Sequence, residues 1–177
     1  MSEFHRVGQS WDYTQTMREL AAQRLAWGRS PRVTFPGSPH QDSMDIILRG
    51  PEKLPGDTLA DLHMRVTCTD YDAAELFPLS LTMASSLAYL LSSEEQRADG
   101  VPREVGRVIL TKLSPNKTIH PHKDEGPVPD YYARFHLVVQ GGDENIFMVN
   151  GKVQPMLTGE MWEVDVRQLH TVINLMD

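Results

Sequence analysis

From residue 105 to the end, β-branched and aromatic residues gather into short runs: GRVILTKL, ARFHLVVQ, ENIFMVN, KVQPML, EMWEVDV and HTVINL. Turn residues separate them. Runs this brief suit strands better than helices, because such side chains pack well on a pleated, half-covered surface. Asn150-Gly151 divides two of the runs, a dipeptide that readily takes the paired positive φ angles of a two-residue hairpin. Ser114-Pro115-Asn116 and Gly141-Gly142-Asp143 mark further turns. MDIILR at 44–49 has the same strand texture. Many short strands joined by polar turns predict a mainly β fold with flanking helices, a barrel or double-sheet jelly roll.

The helices are expected earlier in the chain. Residues 12–27 carry Met17, Leu20, Ala21, Leu25 and Trp27, with Asp12 or Thr14 as N-cap and Gly28 as the stop. Residues 79–97 follow Pro78, with Leu79, Met83, Leu87, Leu90 and Leu91 recurring at helical spacing and SSEEQR closing the segment. At 177 residues and 40% hydrophobic, the chain suits one domain over 1–177. Residues 1–104 would form a helical and mixed support, and 105–177 the strands.

A net charge of −7 argues against nucleic acid or an anionic membrane as the main partner, since both call for a basic face. The single cysteine, Cys68 in RVTCTD, cannot form an internal disulfide and reads as a small core residue. MSEFHRVGQS lacks the apolar run of a signal peptide. LSLTMASSLAYLL is too short and too interrupted by serine to span a bilayer. The expectation is a cytoplasmic protein.

The stretch TIHPHKDEG places His120, His122 and Asp124 at alternate positions. In an extended chain all three point one way, about 6.6 Å apart per two residues. Metal bonds of about 2.1 Å let neighbours at i and i+2 close on one ion, whereas i and i+4 are too far apart. The first shell should therefore hold one adjacent pair. His120 with His122 gives a His-x-His start. His122 with Asp124 gives His-x-Asp, which one distant histidine completes to a two-histidine, one-carboxylate set with open positions on the ion. His170 is the obvious distant partner. A bare His-x-Asp recurs by chance, and His40-Gln41-Asp42 is another.

The order of the pieces adds to this. RVILTKLSPNKTIHPHKDEG, then YYARFHLVV, then GKVQPMLTGEMWEVDVRQLHTVIN resembles the aspartyl/asparaginyl β-hydroxylase family of Fe(II) and 2-oxoglutarate dependent oxygenases. SPHQDSMDIILR resembles a segment these proteins carry upstream. The resemblance implies a double-stranded β-helix (jelly roll, cupin-like) with His122, Asp124 and His170 as metal ligands. It implies Arg134 and His136 in contact with 2-oxoglutarate, and Thr111 as a hydroxyl donor to the far carboxylate. The implied cofactors are Fe(II), 2-oxoglutarate and O2, and the implied substrate is an amino acid, peptide or protein. Family members also carry an arginine shortly beyond the distal histidine to anchor that far carboxylate. The residues from His170 to Asp177 hold none. Arg107 or Arg49 are the expected substitutes; Lys112, adjacent to Thr111, would face the other side of its strand.

Two other readings compete: a jelly-roll metal-binding module without oxygenase activity, and a cupin-like metalloenzyme using His120, His122 and His170 with zinc or manganese. KDEGPVPDYYA at 123–133 is the expected lid or substrate loop, where Tyr131 and Tyr132 either line the pocket or divide, one packed and the other exposed. Trp162 is expected in the core, as are Met44, Met148 and Met156, and Glu160 in solvent.

Overall fold

The computed structural model describes residues 3–7, 11–91 and 104–176. Its strands are β1 (Phe4–Arg6), β2 (Ser43–Pro51), β3 (Cys68–Asp70), β4 (Val108–Leu113), β5 (Lys117–His122), β6 (Phe135–Leu137), β7 (Gly142–Val149), β8 (Lys152–Met156), β9 (Met161–Val164) and β10 (His170–Asn174). The helices are α1 (Thr14–Ala22), α2 (Pro31–Thr34), α3 (Leu59–Met64), α4 (Pro78–Leu91) and α5 (Pro127–Tyr131). Asn150 and Gly151 both take positive φ, 49° and 80°, and β7 and β8 pair antiparallel across them. The hairpin forms where its two residue types permit it.

The strands do not form the expected double-stranded β-helix. They make three small antiparallel sheets, β1-β9-β6, β5-β10-β7-β8 and β3-β2-β4, and none closes or curls into a barrel. The pairing shows why. β4 and β5 are joined by the Ser114–Asn116 turn, yet β4 pairs with β2 and β5 with β10. Both edges of the four-stranded sheet contain proline, Pro121 in β5 and Pro155 in β8. A residue without an N–H is confined to edges and bulges.

Two cores hold the sheets. Phe147, Val149, Met156, Trp162, Val164 and Val166 are buried together, with Phe4, Val138 and Val172 against them. These come from the first two sheets, so that core lies between them. Trp162 and Met156 sit there as expected. The other core packs Ile46 and Leu48 of β2 on Ala74 and Phe77, with Leu20 of α1 and Leu81 of α4 covering them. Glu19 ties the two helices, accepting from the free N–H groups of Leu79 and Ser80 at 2.7 and 2.9 Å.

α1 stops at Ala22, short of the expected Gly28; a 3-10 turn over Arg24–Ala26 follows. That break puts Ala26 and Trp27 onto the Ile46 core and leaves Leu25 fully exposed. α4 follows Pro78 as expected, and its predicted closing segment SSEEQR lies outside the described residues. Glu160, expected in solvent, is buried: Arg6 pairs with it at 3.0 Å and the Trp162 indole donates to it at 3.0 Å. Cys68 is buried. No helix among the described residues is long and apolar enough to cross a membrane.

Candidate metal centre

β5 and β10 are the strands that build the site. Their register runs regularly from Asn174↔Lys117 to Val172↔Ile119 and then slips, so that His170 faces His122. One extra residue in β5, within the stretch His120-Pro121 opposite Thr171, makes a bulge. A bulge re-aims the side chains beyond it, and the alternation assumed for a regular strand fails here. His120 turns away: its Nε2 lies 3.1 Å from the Gln41 amide nitrogen and 3.8 Å from Asp42. His122 and His170 come together instead, with ring centroids 4.2 Å apart.

Asp124 follows β5, its backbone N–H donating to the Val166 carbonyl at 2.9 Å. One ligand atom from each of His122, Asp124 and His170 lies within 4.8 Å of the others. The ring nitrogens are oriented by backbone. Nδ1 of His122 sits 2.7 Å from the His120 carbonyl, and Nδ1 of His170 lies 3.0 Å from that of Gln168. A carbonyl only accepts, so each Nδ1 carries the hydrogen and each Nε2 offers a lone pair. His122 Nε2 is buried without a hydrogen-bond partner, although Asp124 Oδ1 is 3.4 Å away. Two acceptors facing each other in a buried corner call for a cation between them. The donor set therefore fits a metal ion.

Arg134 reaches the same cluster, donating to Asp124 Oδ2 at 3.0 Å. Burial opposes charge on Asp124, but His122 beside it and the Arg134 cation outweigh that, holding its pKa well below the ordinary carboxylate range. Burial lowers the pKa of His170 despite its bond to the Gln168 carbonyl, which keeps the ring neutral and ready to ligate. His136, on β6 opposite Trp162, packs edge-on against Phe147 at 5.1 Å, and Phe147 in turn contacts His170. Its Nε2 is buried without a partner, and burial with the charge of Arg134 pushes its pKa down to about 3. Thr111 stands apart. It is exposed on β4 opposite Asp45, and among the described residues no hydrogen bond ties it to the cluster.

A family model described as aspartyl/asparaginyl beta-hydroxylase matches residues 79–177, more than half of the chain. The chain belongs to that family. No curated protein matches it. The hydroxylase-family match contains β5, α5, β6 and β10, and with them all three residues of the cluster.

Three residues at the cluster were not singled out from the sequence as site residues, and all precede the family match. His40 meets the His122 ring edge-on at 4.9 Å. Arg32 Nη2 lies 3.0 Å from His40 Nδ1. Asp45 is buried, accepts from the Ser30 N–H and hydroxyl, and lies 3.7 Å from Arg32. Burial and the Arg32 charge push the His40 pKa down to about 3. Burial and Arg134 push Arg32 down to about 10. His40 was visible only as a chance His-x-Asp, and Asp45 as a carboxylate inside the apolar run MDIILR. The backbone brings them in, with the His120 N–H donating to the Pro39 carbonyl at 2.8 Å.

The expected lid contains α5 and is tied down by Tyr132, whose hydroxyl donates to the Val66 carbonyl at 3.0 Å, while Tyr131 is exposed. A surface cleft runs past Tyr131 and Arg134 to Asp165 and Arg167. Arg134 thus lies both in this cleft and on the cluster.

Proposed function

We propose that the protein is an Fe(II) and 2-oxoglutarate dependent dioxygenase that hydroxylates an amino-acid side chain, free or within a peptide or protein. The observation that carries this is the pairing of two buried, lone-pair-bearing imidazoles with one carboxylate, in a chain of the hydroxylase family. His122, Asp124 and His170 would hold the metal. Two nitrogens and one oxygen leave positions free for a bidentate keto acid and for O2. Bound iron supplies oxygen activation, with 2-oxoglutarate as the reductant that leaves as succinate and CO2.

The chain's own tasks are binding and orientation. The carbonyls of His120 and Gln168 hold the imidazoles in one tautomer and one direction. Arg134 neutralises Asp124 and presents a planar fork suited to a carboxylate. His136 brings an unpartnered ring nitrogen, packed through Phe147 toward His170, and Thr111 is assigned the far-carboxylate hydroxyl on its motif position alone. The His-x-His reading loses its basis, because the bulge takes His120 out of the cluster.

The test is succinate release from 2-oxoglutarate in the presence of Fe(II). His122→Ala and His170→Ala are each expected to abolish it. Turnover by His122→Ala at the parent rate would end the assignment. A second reading, metal binding without oxygenase activity, draws on one observation. Arg49 is held by Asp70 and the Val105 and Cys68 carbonyls, and Arg107 by the carbonyls of Leu62 and His63. All three nitrogens of Arg49 are engaged, and Arg107 keeps only a buried Nε without a partner. Failure of the metal-loaded protein to bind 2-oxoglutarate would select that reading.

A further inference from the structure

Among the described residues, two guanidinium groups each keep a buried nitrogen without a hydrogen bond, Arg107 at Nε and Arg32 at Nη1, and Arg32 is the one braced against the cluster through His40. Its Nη1 is buried and makes no hydrogen bond, and the 3.7 Å to Asp45 is too long for one. A buried donor without an acceptor costs its full desolvation, so such a group in a native fold calls for an explanation. Asp45 does not supply it, since it lies 3.7 Å away and turns its two oxygens to the Ser30 N–H and hydroxyl. On its other side Arg32 is braced by His40, and His40 abuts His122. One ring therefore separates the guanidinium from the metal cluster.

Charge points the same way. At the cluster Arg32 and Arg134 balance Asp45 and Asp124. A divalent ion on His122, Asp124 and His170 would leave this cluster with an excess of positive charge, which an anionic ligand would neutralise.

We propose that Arg32 is a carboxylate-binding residue beside this metal cluster. Its Nη1 takes a carboxylate of the organic ligand bound at the metal cluster, while Asp45 and His40 hold the guanidinium in place. The assignment rests on the function proposed above. It falls on a segment that the family match, which begins at residue 79, does not reach.

The test uses the full chain loaded with Zn(II), so that no turnover intrudes, and calorimetric titration. The probes are 2-oxoglutarate, pyruvate, which keeps the keto-acid end but lacks the second carboxylate, and L-aspartate added with 2-oxoglutarate present. Arg32→Gln and Arg32→Lys are expected to weaken 2-oxoglutarate about ten- to a hundredfold and to leave pyruvate within about twofold. Weakening of L-aspartate alone supports the proposal with the substrate as the source of the carboxylate. The double variant Arg32→Met/Asp45→Asn removes both charges, so a fold strained by an unpaired Asp45 does not hide the result; its acid affinities then decide. Affinities for all three acids that are unchanged without Arg32, or no carboxylate binding by the parent, overturn the proposal. Zinc content separates the two claims. A parent that takes up no zinc ends the metal reading, whereas full zinc uptake with unaltered acid binding ends the Arg32 assignment only.

Discussion

The chemistry of the centre depends on which nitrogen of each histidine carries the hydrogen. Backbone carbonyls decide this for His122 and His170, and both leave Nε2 toward the carboxylate side. Asp124 then serves two partners, His122 through Oδ1 and Arg134 through Oδ2. Asp124→Asn keeps the shape and removes the charge. It is expected to lower zinc affinity by at least about tenfold, read by competition with a chelating dye, with the melting temperature little changed. Glu160 carries the opposite lesson about single residues. Its position after a turn glycine suggests solvent, yet Arg6 and Trp162 close over it from elsewhere in the chain. A side chain's partners from distant segments cannot be read from its neighbours in sequence.

The bulge in β5 is the element on which the site turns. Without it, regular pairing would continue past Ile119 and direct His122 to the other face of the sheet. Deleting Pro121 removes the extra residue and leaves His122 two places after Ile119, still opposite His170, so zinc binding is expected to persist with the far-UV circular dichroism near that of the parent. Loss of zinc binding would show that the register of His122 against His170 is not what aims the ring. The helix-covered sheet makes a separate prediction. Leu48 is fully buried between β2 and its helices. Leu48→Ala should cost about 2–5 kcal/mol in denaturant unfolding, mostly through the cavity it leaves. It should leave the zinc stoichiometry at saturation unchanged, because that core does not include the cluster residues.

Across the whole molecule, buried neutral histidines couple the fold to pH. His40 and His136 both have their folded pKa pushed down to about 3, first by burial. Unfolded, each returns to about 6.5. Between those values the unfolded chain binds more protons, so their effect is absent above about pH 6.5 and stability falls as pH drops below it. From pH 7 to pH 5 each histidine should remove about 2 kcal/mol. The measurement is the urea midpoint at both pH values. His136→Gln should flatten the dependence, and an unchanged slope would show that His136 is charged in the folded state or exposed.

Strand content, the Asn150-Gly151 hairpin and the helix after Pro78 were legible from residue types and spacing, because these depend on short-range backbone preference, while the order of motifs singled out His122, Asp124 and His170, which the fold clusters. Sheet closure was not legible. Whether β4 pairs with β5 or with β2 depends on contacts between distant segments, and those left three open sheets where a closed jelly roll was expected. The choice of His122 over His120 as the partner of His170 came from a one-residue slip in pairing, which alternation along a single strand cannot reveal. The recruitment of Arg32, His40 and Asp45 was likewise a tertiary decision. Their chemistry lies in being buried beside one another, and burial belongs to the packed chain, whereas a local run of sequence encodes only what each residue prefers on its own.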